Sequence, residues 1–165
     1  MLITLLACTS PVEDSAPAEV LVYEHRFSFV VLADPHISSN VEHQERLAGA
    51  VAWVNENAVQ ERIELVWVVG DIGWGTGLPI SRELLDALEV PYLPVIGDNE
   101  VHFGDEVPFD QTFGPVLDAH VGLWPDFHRG QVEVYDAVAG REMALQNFSF
   151  SYGGLRWVGL DWCSR

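Results

Sequence analysis

Three apolar runs, 25–34 (HRFSFVVLAD), 64–71 (ELVWVVGD) and 90–98 (VPYLPVIGD), each finish on an aspartate. Short, continuous runs of this kind read as strands buried on both faces of a sheet. Between the first two lies VEHQERLAGAVAWVNENAV. Its Val41, Leu47, Ala50, Val51, Val54 and Ala58 recur at roughly helical spacing, and Ser38, Ser39 or Asn40 offers an N-cap. Between the second and third lie a glycine-rich loop, GDIGWGTGLP, and a short helix, ISRELLDALE. Strand–helix–strand–helix–strand implies right-handed crossovers and a parallel sheet with all strand C-termini on one edge. The expected class is therefore α/β.

That edge is where open α/β sheets bind ligands. Here it receives Asp34-Pro35-His36, Gly70-Asp71 and Gly97-Asp98-Asn99-Glu100. Carboxylates crowded together without a cation raise one another's pKa values. The chain holds 25 acidic residues against eight basic ones, all arginine, for a formal charge of −17, so ion pairing cannot neutralise such a patch. A divalent metal can, and hard oxygen donors mixed with an imidazole suit manganese, iron or zinc better than calcium or magnesium. Alternation along a strand would turn Asp34 and His36 the same way, with Pro35 holding Asp34 extended. Gly70 and Gly97 would let the backbone bend close to the site. The same negative charge argues against nucleic-acid backbones as partners.

The remaining text is less regular. Residues 101–130 are rich in Gly, Pro and Phe and read as loop with at most short helices. QVEVYDAV, ALQNFSFSYGG and LRWVGLDW read as strands, the last two joined at Gly153-Gly154 as a hairpin. At the start, Leu5-Leu6-Ala7-Cys8 closes a short apolar run and a Ser/Pro/acid-rich stretch follows. This resembles a bacterial lipoprotein signal over 1–8 with a tether over 9–22, which implies export and a lipid anchor at Cys8 in the cell envelope. The chain closes four residues after an apolar strand, which predicts an incomplete domain over 23–165.

ADPHI, VVGDIG and PVIGDNE, spaced by about 37 and 27 residues, together resemble the first three signatures of the calcineurin-like metallophosphoesterase superfamily. NFSFSYGGLRWVGLDW is similar to the paired strands before that family's fourth signature. The resemblance implies a mixed β-sheet sandwich flanked by helices and two metal ions. It also implies hydrolysis of a small phosphomonoester or phosphodiester by metal-activated hydroxide. Asp34 and His36 match ligands of one ion, and Asp71 the bridging ligand. The third signature departs from the pattern: Asp98 stands at the family's ligating Asn, and Asn99 at its His. Asn99 is alternatively the ligand itself, with Asp98 behind it. An amide does not titrate near neutral pH, so the acid role of that His would pass elsewhere, with His102 the nearest candidate. Glu100 matches the signature's acidic end. The purple-acid-phosphatase branch has a ligating Tyr where this chain has Trp74. The family's later His motifs have no counterpart here, and the likeness covers the N-terminal half to two-thirds of such a domain. Trp74 is read as part of the pocket rim, able to stack on substrate.

Overall fold

The computed structural model describes residues 27–104, 106–130, 132–137 and 140–163. The expected signal, Cys8 and tether lie outside the described residues. Three parallel strands, β1 (Ser28–Ala33), β2 (Ile63–Val69) and β3 (Tyr92–Val95), form a sheet in the order β1-β2-β3. The connections are helical, as expected. α1 (Val41–Asn57) is capped by Asn40, whose Oδ1 accepts the Glu42 N–H at 3.0 Å. It turns Leu47, Val51 and Val54 inward. α2 (Gly77–Leu85) buries Leu78, Ser81 and Leu85. α3 (Asp98–His102) is a single turn at the end of β3.

The central strand is buried on both faces through Leu65, Val66, Trp67 and Val68. β3 is buried throughout and tolerates Pro94 because it borders the described sheet. β1 departs from expectation. Val30 and Leu32 pack on the core, but Phe29 and Val31 are about half exposed, at 46% and 53%. The reason is position: β1 is the other border strand, and the second layer reaches it mainly through Trp157, whose ring meets Phe29 edge-on at 5.0 Å.

The larger correction concerns 101–130. Most of it is one 18-residue helix, α4 (Glu106–Leu123), despite Pro108, Gly114 and Pro115. Pro108 lies in the first turn, where a missing N–H costs nothing. Pro115 lies inside the helix on an exposed position. Phe109, Phe113, Val116, Leu117 and His120 are buried on the inner face. His120 is structural: its Nε2 lies 2.8 Å from the Tyr92 carbonyl oxygen. Arg129, in the short strand β4 (His128–Arg129), clamps α4 by donating to Asp110 at 2.6 Å and Asp118 at 2.8 Å.

β5 (Glu133–Asp136) pairs with β6 (Arg141–Ala144), so the expected long strand from 144 is divided. β7 (Phe148–Tyr152) and β8 (Leu155–Gly159) form the expected hairpin, turning through Gly153 and Gly154 at φ 62° and 79°. β4, β7 and β8 make an antiparallel sheet. One hydrophobic cluster fills the space between the parallel sheet and the helices. A second joins Leu65, Trp67, Leu93 and Val95 of that sheet to Phe148 and Phe150 of β7, with Trp124 and Phe127 beside them. The architecture is α/β, and among the described residues parallel and antiparallel pairs occupy separate sheets.

Candidate metal centre

The loops after β1 and β2 are tied together by the backbone. The His36 N–H donates to the Asp71 carbonyl and the Ile37 N–H to that of Ile72, both at 2.9 Å. Ile37 also forms a bridge with Gly73. The approach is close enough that a Cβ on Gly77 would sit 1.9 Å from the Ile37 carbonyl oxygen. These ties set the geometry of the site. Asp34, His36 and Asp71 have positive φ, at 51°, 52° and 48°, a region that residues with side chains seldom occupy. Asp34 is therefore not held extended by Pro35. Its side chain meets that of His36 across left-handed backbone at both residues, and strand alternation has no part in it.

The outcome is a compact donor set. One ligand atom from each of Asp34, His36 and Asp71 lies within 4.8 Å of the others. Asp71 is buried at 8% exposure, whereas Asp34 is exposed. His36 Nε2 lies 3.3 Å from Asp71 Oδ2. The helical turn α3 delivers Asn99: its backbone N–H donates to Asp71 Oδ1 at 3.1 Å and its Nδ2 to Oδ2 at 2.5 Å. An amide bonded in this way keeps its oxygen as the atom a metal would use. Asp98 is outside the triad. It is exposed and faces His102 across the turn of α3, Oδ2 to Nδ1 at 3.6 Å. Of the two residues open for the third signature, Asn99 is the one brought to Asp71. His102 is likewise exposed and turned to Asp98.

Two residues matter more than their positions in the sequence suggested. Glu100 is fully buried and joins two loops, accepting the Gly73 N–H on Oε1 and the Gly97 N–H on Oε2, each at 2.9 Å. Burial raises its pKa against the pull of those donors. Glu100→Gln places an amide NH₂ against a backbone N–H, and is expected to lower stability by about 1–3 kcal/mol in a denaturant melt. His43, on the first turns of α1, has Nδ1 2.8 Å from the His36 carbonyl oxygen. The signal for Glu100 was its place three residues after Gly97 at a helix start; for His43 the sequence holds none.

The rim is aromatic on one side. Trp74 meets the His36 ring edge-on at 5.5 Å and stacks on Phe103 at 5.4 Å. On another side a cleft of about 410 Å³ runs between β1 and α1, bordered by Asp34, His36, His43 and Arg46. Two carboxylates and an imidazole, with an amide alongside, fit a borderline divalent ion such as manganese, iron or zinc. No family model matches this chain, and no curated protein matches it in sequence.

Proposed function

We propose that this chain is a metal-dependent phosphoesterase domain, a metallophosphoesterase-like sandwich, that hydrolyses small phosphomonoesters or phosphodiesters. The observation that carries the reading is the convergence of Asp34, His36 and Asp71 within 4.8 Å at the carboxyl ends of neighbouring parallel strands. The ordered resemblance of the three loop sequences supports it. Asp34, His36 and Asp71 would hold one ion; a second would draw on Asp71, on Asn99 and on further donors. Export and lipid attachment at Cys8 belong to the same proposal.

When bound, a divalent ion supplies Lewis acidity toward a phosphoryl oxygen and hydroxide from water near neutral pH. The chain's own part is positioning. Asn99 holds the Asp71 carboxylate through two donors, and Trp74 abuts the His36 ring. Glu100 fixes the two loops beneath them. In the net reaction water adds to phosphorus, the bond to the ester oxygen breaks, and that oxygen leaves as the anion, to be protonated by solvent as its pKa dictates. Asn99 supplies no such proton, so esters with good leaving groups are the favoured substrates.

The test is hydrolysis of a chromogenic aryl phosphomonoester and diester by the purified, manganese-loaded chain. Turnover that stops with chelator and returns with metal is the expected result. A second reading, a metal-binding protein without turnover, is favoured by the amide at position 99 and the outward turn of His102. Stoichiometric metal with no hydrolysis of either ester would select it.

A further inference from the structure

The aromatic pair at the rim is built with more care than a solvent-facing loop requires. Trp74 sits in the glycine-rich loop between Gly73 and Gly75, and that loop is fixed from both sides. The Gly77 N–H donates to the Trp74 carbonyl at 2.9 Å. A Cβ on Gly73 would sit 2.7 Å from the Ile37 carbonyl oxygen, so this loop lies against the loop that carries His36. Phe103 follows α3, where its N–H donates to the Asn99 carbonyl at 2.9 Å. Its ring stacks on Trp74 with an interplanar angle of 26°, yet it remains 62% exposed. Two rings anchored to the loops of His36 and Asn99 thus form a rigid apolar wall beside the donor set. Most of the outer ring is left to water.

We propose that Trp74 and Phe103 are a stacking platform for a planar ring on the substrate, and that the ester cleaved is an aryl phosphate. This rests on the phosphoesterase reading and narrows it. A preformed aromatic surface binds π-faces without regard to their hydrogen-bonding pattern. The second argument is chemical and separate. The side chain that donates to the Asp71 carboxylate from α3 is the Asn99 amide, which does not titrate near neutral pH, so the departing oxygen receives no proton from it. A phenolic oxygen, with a pKa of about 10, leaves as the anion far more readily than an alkoxide. Ring and leaving group therefore point to the same class.

The experiment measures binding as well as turnover. Phenylphosphonate, methylphosphonate and the phosphonate analogue of a nucleoside monophosphate are titrated calorimetrically into the manganese-loaded chain, with tryptophan emission followed in parallel. Phenylphosphonate is expected to bind roughly tenfold more tightly than methylphosphonate and to perturb the emission. Phe103→Ala should bring that ratio close to one, while Phe103→Tyr should preserve it; the exposure of the ring leaves both variants folded. Equal affinity for phenyl and methyl compounds overturns the platform and leaves the phosphoesterase reading standing. A nucleoside analogue that outbinds phenylphosphonate overturns the aryl assignment. Failure of all three to bind metal-loaded protein overturns the platform together with the reading beneath it.

Discussion

Asp71→Asn is expected to weaken manganese binding by at least about a hundredfold, which corresponds to about 2.7 kcal/mol, and to lower the stability of the metal-free fold by about 1–3 kcal/mol. Asp71 is the buried member of the triad and the point on which all three loops converge. It takes donors from Asn99 twice and lies 3.3 Å from His36 Nε2. Asn has the same shape but lacks the charge that offsets a cation, and one of its two terminal atoms is a donor facing other donors. The check is a thermal melt with and without manganese. The native chain should gain stability as metal is added, by the linkage that any ligand of the folded state produces. The variant should melt at the same temperature in both conditions. A variant that retains the metal-dependent rise would remove Asp71 from the site.

Gly97→Ala is the second large effect, and it acts through shape. A Cβ at position 97 would lie 2.1 Å from the Asp71 nitrogen, 2.2 Å from its Oδ1 and 2.9 Å from Glu100 Oε2. The first contact is backbone, which cannot rotate away. Overpacking of this kind costs about 3 kcal/mol, and the displaced Asp71 should lose metal affinity at the same time. Gly49→Ala is the control. It lies in α1 with nothing within 4 Å of the added carbon, and should be neutral or slightly stabilising. Denaturant melts of the two variants, each followed by a manganese titration, separate a local clash from a general intolerance of alanine.

Much of the parallel sheet was legible because buried strands leave an unmistakable trace. Leu65 to Val69 and Val90 to Ile96 are uninterrupted apolar text, each bounded by a glutamate and a glycine. The helix over 106–123 was hidden by its own punctuation. Pro108, Gly114 and Pro115 read as breakers, but two of the three have local reasons to be there. Pro108 occupies a first turn, and Gly114 makes room beside Asp110 and Arg129, its added carbon falling 3.0 Å and 3.4 Å from them. The spacing of Phe109, Phe113, Val116, Leu117 and His120 carried the helical period throughout. At the site, residue identities named the triad, but backbone angles decided how it assembles. No sequence pattern places Asp34, His36 and Asp71 at positive φ, because that conformation is imposed by bonds to a neighbouring loop. The same bonds and the Glu100 link turn Asn99 inward and leave Asp98 outside.

Those three left-handed residues carry a consequence for how an ion is captured. Such postures cost free energy, and a free peptide with these side chains would abandon them. Here backbone hydrogen bonds between neighbouring loops hold the site, so the donor atoms would meet an ion in register, with little reorganisation. The scaffold meets the ordering penalty in folding, which would leave coordination as a nearly rigid event.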